Sequence, residues 1–422
     1  MTRQMPPGWE HAPSATCGDV GEHALIRWIA SAVGNAPSPD VLQGIGDDAA
    51  VVRPRRNHVD VLTTDVLVDG VHFTRALSTA RDVGHRALHV NLSDIAAMGA
   101  EPRVALLSLG LPVDLAALWV AELVQGLLDA ARLARVHVIG GNISHSPTLF
   151  VDVTVSGSIK PRQILRRSGA RAGDELYVSG EVGAAAAGLA WLQRGSDRSF
   201  DGKDHSFAGK DRSFAGRDRS PSGPSPSDAD AHVGAGTGDG RLAQPALPTS
   251  MEPAIARYRR PEARVALGMQ VARNRAASAC MDTSDGLADA LRQLAGASGV
   301  GVRVDAATLP VSPAVTDVVA ATGCAASTLV WSGGEDYELL FAVPRRSRRR
   351  FLHATGRKGL PVVTRIGVCT KDADLVIVSE DQHLTPLPGG YEHFVSSAGD
   401  PAHDGTTPPD ARGGRGTPED HG

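Results

Sequence analysis

The sequence predicts an α/β or α+β protein of two domains, with sheets flanked by helices. Three features lead there. The chain has 422 residues, more than one hydrophobic core usually serves. Runs of β-branched residues alternate with segments whose apolar residues recur at helical spacing. Stretches rich in Pro, Gly, Ser and charge set off a beginning, a middle and an end that bury too little to fold: residues 1 to 17, 195 to 248 and 397 to 422.

The elements follow in order. VDVLTTDVLV (59 to 68) reads as a β-branched strand. VGHRALHVNLSDIAAMGA (83 to 100) reads as a helix, with Ala87, Asn91, Ile95 and Met98 at helical spacing. VALLSLGLP (104 to 112) reads as a buried strand. A helix capped by Asp114 follows over 114 to 134, then a strand ending in glycines, VHVIGGN (136 to 142). A second set opens near Ile159. It has a strand at 174 to 180, a small-residue helix at 182 to 192, a helix at 259 to 273 with proline near its start, and strands at 300 to 305, 339 to 343 and 374 to 378. The middle polar segment carries an imperfect seven-residue repeat, DRSFDGK, DHSFAGK, DRSFAGR, DRSPSGP. One Phe per repeat with a glycine close behind cannot build a coiled-coil seam, so the segment reads as an insertion in a surface loop. RRSRRR (345 to 350) reads as the solvated start of a helix after Pro344.

Composition excludes several function classes. With 43 basic and 47 acidic residues the net charge is −4, which offers no bulk attraction to nucleic acid or anionic membrane. Small soluble partners fit better. The four cysteines, Cys17, Cys280, Cys324 and Cys369, are widely spaced and form no C-x-x-C pair, so neither a zinc site nor a disulfide framework is indicated and a reducing cytoplasm fits. No stretch reaches the roughly 18 consecutive apolar residues of a membrane span.

Chemistry gathers in the acidic residues at element ends. Asp47 and Asp48 stand side by side in GIGDDAAVV, Asp65 in TTDVLVDG, Asp94 in NLSD, Asp282 and Asp285 in CMDTSDGL, Glu335 and Asp336 in SGGEDYEL. Adjacent carboxylates repel each other and resist desolvation unless a cation settles between them. Hard cations such as Mg²⁺ take carboxylate, hydroxyl and amide oxygens, with phosphate and water completing the shell, and a set this large fits several ions. Glycine turns adjoin most of the acids (GIGDD, IGGN, SDGL, SGGED), and glycine lets backbone N–H groups approach phosphate oxygens. Metal beside anion cradle is the arrangement of phosphoryl transfer. Neither a G-x-x-x-x-G-K-[ST] loop nor the kinase H-R-D and D-F-G set occurs. Singly, each residue has a plainer reading: Asp285 is placed to cap the helix starting at Gly286 or Leu287, and His72 fits a core or surface position.

In order along the chain, GIGDDAAVV, TTDVLVDGVHF, NLSDIAAMGAEP, RRSGARAGD, MDTSDGL and SGGEDYELLF resemble the thiamine-monophosphate kinase family, part of the superfamily of aminoimidazole ribonucleotide synthetase. The resemblance spans residues 20 to 395, interrupted by the insertion. It implies the two-domain aminoimidazole ribonucleotide synthetase-like fold with mixed sheets. An N-terminal ATP- and Mg²⁺-binding domain (18 to 158) would pair with its twin in a homodimer, and a C-terminal α/β domain (159 to 396) would close over it. It also implies ATP as co-substrate, thiamine monophosphate as acceptor, and several Mg²⁺ ions at Asp48, Thr63, Thr64, Asp65, Asp94, Asn142, Asp282 and Asp285. Nucleotide contacts implied are Gly141, Asn142, Arg167 and Ser284, with Asp65, Asp94 and Arg167 nearest the chemistry. Substrate contacts implied are His72 and Glu335.

Two positions depart from the family pattern. Family members typically read GGD where this chain has GGN, so Asn142 brings an amide oxygen and one negative charge fewer. In LPGGYEHF (387 to 394), Pro388 stands where some members carry an aromatic residue that stacks on thiamine, and Tyr391, three positions on, is the candidate replacement. Other readings stay open from sequence: another ATP-dependent activity of the superfamily, such as selenophosphate or aminoimidazole ribonucleotide synthesis, or a nucleotide-binding module without turnover.

Overall fold

The computed structural model describes residues 14 to 34, 38 to 194, 248 to 379 and 381 to 389. Tyr391, the tail from 397 and all of the expected insertion except Pro248 lie outside the described residues. All described residues fall in one compact unit.

The first part of the chain folds as α1 (Cys17–Val20), α2 (Glu22–Val33), β1 (Val41–Gln43), β2 (Val51–Val52), β3 (Val59–Val68), α3 (Ala80–Ala97), β4 (Glu101–Leu111), α4 (Ala117–Ala134), β5 (His137–His145) and β6 (Phe150–Ile159). Thr16 and Cys17, assigned from sequence to the unstructured start, are ordered. Thr16 caps α1 in a reciprocal bond with Asp19, and the Cys17 N–H donates to the Leu115 carbonyl at 2.8 Å. Strands β3, β6, β4 and β5 form a mixed sheet in that order, antiparallel except for the β4–β5 pair. Helices α3 and α4 pack on each other, and α3 also lies against β3 and β6. Thr79 opens α3 with a capping box closed by Asp82. Helix α4 starts at Ala116 without a side-chain cap, so the expected capping role of Asp114 is not realised.

The rest comprises β7 (Glu175–Ser179), α5 (Ala184–Gln193), α6 (Met251–Arg259), α7 (Val265–Asn274), β8 (Ala279–Asp282), α8 (Leu287–Ser298), β9 (Gly301–Asp305), α9 (Pro313–Thr322), β10 (Leu339–Val343), α10 (Arg348–Thr355), β11 (Val363–Thr370), β12 (Leu375–Val378) and β13 (Leu384–Pro386). Its seven strands run β13-β12-β9-β11-β7-β10-β8, all antiparallel neighbours except the β9–β12 pair. The helix expected over 259 to 273 begins only at Val265, as α7, and the preceding helix α6 ends at Arg259. Pro261 has no N–H to give a helical ladder, so the chain runs extended between α6 and α7.

The period of two along a strand places two cores. In β10, Leu339, Phe341 and Val343 join α3, α7 and α10 in one core, while Leu340 and Ala342 join α5, α8 and α9 in the other. Tyr177 and Leu176 of β7 divide the same way. The seven-stranded sheet is thus covered on both faces. Its first face shares one continuous core with α3, α4 and the four-stranded sheet.

Candidate active site

Helix α3 is where the two parts of the chain meet. Near its end Asp94 accepts from the Thr63 hydroxyl of β3 at 2.5 Å. One residue earlier Ser93 donates to Asp282, the last residue of β8, at 2.7 Å. Asp65 stands two residues beyond Thr63 on the same face of β3, and Asp285 follows Asp282 before α8. These carboxylates feel one another. Burial, then the charges of Asp94, Asp285 and Asp152, push Asp65 up to about 6. Burial, then Asp94, Asp285 and Asp65, push Asp282 up to about 7 against the lowering bond from Ser93. Asp94 is raised by burial and held back by its Thr63 bond and by the Arg167 guanidinium. Arg167, tethered to Gln293 of α8, is therefore close enough to act on the cluster. The Ser284 hydroxyl donates to Asp282 at 3.4 Å.

The loop after Gly333 closes the other side. Glu335 pairs with Arg86 of α3, a side chain only 2% exposed. Burial raises the Glu335 carboxyl, Arg86 lowers it and Asp285 raises it further, which sets Glu335 beside the acidic cluster. Asp336 accepts from the N–H groups of Gly183 at 2.6 Å and Ala185 at 2.8 Å, anchoring the loop on the amino end of α5. Glu338 is buried between the Arg264 fork, the Ser179 hydroxyl and Arg257 at 3.3 Å. The acidic run of SGGEDYEL therefore divides: Glu335 faces the cluster, while Asp336 and Glu338 hold structure.

Against this geometry, the family model of the AIR synthase related protein N-terminal domain matches residues 46–159, and that of its C-terminal domain matches residues 250–380. Thiamine-monophosphate kinase of Escherichia coli (strain K12) is 34% identical over 379 residues, spanning 89% of this chain and 99% of the relative. The chain belongs to the thiamine-monophosphate kinase family.

Solved members of the thiamine-monophosphate kinase family share the fold. The Stenotrophomonas maltophilia K279a enzyme superposes with a TM-score of 0.62 at 31% identity, covering 84% of this chain and 94% of that one. AaThiL in complex with AMPPCP and TMP gives 0.61 at 29% identity, covering 89% and 98%.

Within that fold the implied residues do not all fall together. Thr63, Asp65, Asp94, Arg167, Ser284, Asp282, Asp285 and Glu335 come together. Thr64 and Asn142 lie on the opposite face of the four-stranded sheet. The Thr64 hydroxyl bonds to Asp152 at 2.9 Å and Thr154 at 3.0 Å, and Asn142 pairs in register with Ser108, itself paired with Asp152. Gly141 lies between strands so closely that a Cβ would stand 1.7 Å from the Leu107 carbonyl oxygen, so only glycine fits. Asp48 is exposed on the loop between β1 and β2, its N–H donating to Asp47 at 2.9 Å, and is not among the charges that raise Asp65 or Asp282. His72 turns back on its own strand end, its Nδ1 accepting from the Val68 N–H at 3.1 Å.

Among the described residues, no three carboxylate, His or Cys side chains form a closed metal-ligand set. The donor chemistry nevertheless fits Mg²⁺, which uses one or two carboxylates and leaves the rest of its shell to phosphate and water. Buried like charges with hydroxyls beside them want a hard cation. Sequence reasoning missed Arg86, Ser93 and Asp152. For Arg86 the signal was present: a charged side chain one turn from Val83 and Val90 on the buried stripe of α3.

Proposed function

We propose that the chain phosphorylates thiamine monophosphate to thiamine diphosphate with ATP. Membership of the family carries this reading, and so does one observation: Asp65, Asp94, Asp282 and Asp285 gather beside Arg167. That density of negative charge is costly in a folded protein unless the site handles phosphate through cations.

In this reading Asp65, Asp94, Asp282 and Asp285 hold Mg²⁺ with Thr63 as a further oxygen donor, while Asp48, Thr64 and Asn142, which the resemblance also implies as ligands, stand apart from that cluster. When bound, the ions supply charge neutralisation for the polyphosphate. Thr63 and Ser93 keep Asp94 and Asp282 oriented by donating to them. The Arg167 guanidinium donates in a fixed fork to phosphate oxygens as charge shifts between them. Gly141 and Ser284 complete the nucleotide side, and His72, Glu335 and Tyr391 the thiamine side. The attacking phosphate oxygen is already anionic near neutral pH, so transfer is direct and in line, without a covalent enzyme intermediate or a strong general base. Residues 18 to 158 supply dimerisation and part of the ATP and Mg²⁺ site, and residues 159 to 396 close over it, bringing Arg167, Asp282, Ser284 and Asp285. Small soluble substrates suit a cytoplasmic enzyme, and no described helix is long and apolar enough to cross a membrane.

An ADP-release assay with ATP, Mg²⁺ and thiamine monophosphate tests the reading, with products identified by mass and free thiamine as control. Thiamine diphosphate should form from the monophosphate alone. Bound ATP without product would overturn the reading and leave a nucleotide-binding module.

A further inference from the structure

Around Glu335 three polar atoms lie buried without a hydrogen-bond partner: Glu335 Oε2, the Tyr258 hydroxyl and Arg86 Nε. Buried polar groups are nearly always paired, so three orphans at one place need a reason. Their neighbours are mutual. Arg86 pairs with Oε1 of Glu335, its NH1 donates to the Tyr258 carbonyl at 3.5 Å, and its Cζ lies 5.0 Å from the centre of the Tyr258 ring. Tyr258 and Glu335 are close enough for the carboxylate charge to act on the phenol, and the Arg86 guanidinium approaches the same hydroxyl without reaching hydrogen-bond geometry. Among these orphans the hydroxyl is a donor and Oε2 an acceptor, a complementary couple.

The backbone adds an independent sign. Glu335 holds φ at +71° and Tyr337 at +50°, left-handed conformations that bulky side chains rarely adopt. Such strain persists only where surrounding contacts fix it, and it gathers at functional sites. Arg86 comes from α3, which also carries Asp94, while Tyr258 comes from α6 at the far side of the insertion. Glu335 thus sits between two elements, α3 and α6, that pack against each other.

We propose that Arg86 and Tyr258 are positioning residues for thiamine monophosphate: Arg86 holds Oε1 of Glu335 and the Tyr258 hydroxyl takes Oε2, fixing the carboxylate in the orientation that meets the substrate. Each carboxylate oxygen keeps a second lone pair, so a carboxylate held at both oxygens still accepts from a substrate N–H. This rests on the reading of Glu335 as a substrate residue.

Steady-state kinetics of the full chain test it with Tyr258→Phe, Arg86→Lys and Glu335→Gln, varying thiamine monophosphate and ATP separately. Tyr258→Phe should raise KM for thiamine monophosphate about five-fold, with kcat and the KM for ATP within two-fold. Arg86→Lys should raise it further in the same direction. The double variant Tyr258→Phe, Glu335→Gln should be no worse than Glu335→Gln alone. If Glu335→Gln raises KM for thiamine monophosphate while Tyr258→Phe does not, positioning is overturned and the substrate reading of Glu335 stands. An unchanged KM in Glu335→Gln overturns both. Arg86 is buried and its variant is the one at risk of misfolding; Tyr258→Phe removes one hydroxyl and decides the matter by itself.

Discussion

Asp65 shows what a single side chain gives up for function. Its neighbours Asp94, Asp285 and Asp152 repel its charge, and Thr63 bonds to Asp94, not to Asp65. Asp65→Asn keeps the shape, removes one of the repelling charges, and removes an oxygen anion from the metal site. Turnover should fall on the order of 10³-fold, as when a charge-stabilising group is lost from a phosphoryl site. The ligand-free protein should melt higher by about 1–2 °C, the shift that ~1 kcal/mol gives a chain of this size. Parallel kinetics and calorimetry decide it: a variant that keeps its kcat in saturating Mg²⁺ removes Asp65 from the metal set. The acids themselves were legible from sequence because they recur beside glycine turns in one order. Which of two adjacent threonines faces them was not: Thr63 and Thr64 are alike in composition, and only the strand period sends one to Asp94 and the other to Asp152.

At the scale of elements, α3 decides the site, since it carries Arg86, Ser93 and Asp94. It reaches its place by close approach to α4. A Cβ on Gly84 would meet the Leu123 carbonyl oxygen at 1.9 Å, and one on Gly126 the Arg81 carbonyl oxygen at 2.2 Å. Gly84→Ala should therefore cost about 2–3 kcal/mol by overpacking and lower turnover as α3 moves. Denaturant unfolding with activity on the same samples checks this, and a neutral result would mean the helices have room to part. The other flank of α3 packs its histidines on the segment after α6. His85 and His89 stack at 4.1 Å, His85 Nε2 donates to the Pro261 carbonyl at 3.0 Å, and the Ala263 N–H donates to His89 Nδ1 at 3.1 Å. Burial, then His85 and Arg264, push His89 down to about 3, while burial lowers His85 against its Pro261 bond and the charges of Glu262 and Asp82, with Arg260 lowering it too. Both folded values lie below the ordinary histidine value of 6.5. The unfolded chain then takes up protons first as pH falls, so this stability is present above pH ~6.5 and lost towards pH 3, at up to ~1.4 kcal/mol per pH unit per proton. His89→Gln should flatten the dependence of the melting temperature between about pH 6.5 and 5; an unchanged slope would assign the acid sensitivity elsewhere. None of this junction was legible in sequence, because periodicity gave one helix across Pro261 where the fold needs an extended stretch to meet α3. Strands were legible where a β-branched or continuously apolar run stood out, as in β3 and β10.

For the whole molecule, the four-stranded sheet poses the remaining question. Its inner face packs on α3 and α4, but its outer face presents Leu62 at 71% exposure, Val66 at 43% and Leu106 at 40%, between Thr64, Thr154 and Asp152. Open apolar sheet faces of this kind mark contact surfaces. Pairing with a twin chain is the homodimer that the family resemblance implies, and it would also bring Thr64 and Asn142, which stand on that face, into a shared interface. Leu62 is set apart from Thr63, Asp65, Asp94, Asp282 and Asp285 by the thickness of the sheet, so its replacement tests assembly without touching that acidic cluster. Leu62→Arg would bury a charge at the centre of a two-chain interface and should halve the sedimenting mass at micromolar concentration while the melting of each chain changes little. If the parent chain already sediments as a single copy, the pairing is excluded and the outer face must serve another contact. If the variant stays paired, the twin docks elsewhere, and the presence of Thr64 and Asn142 on this face loses its explanation.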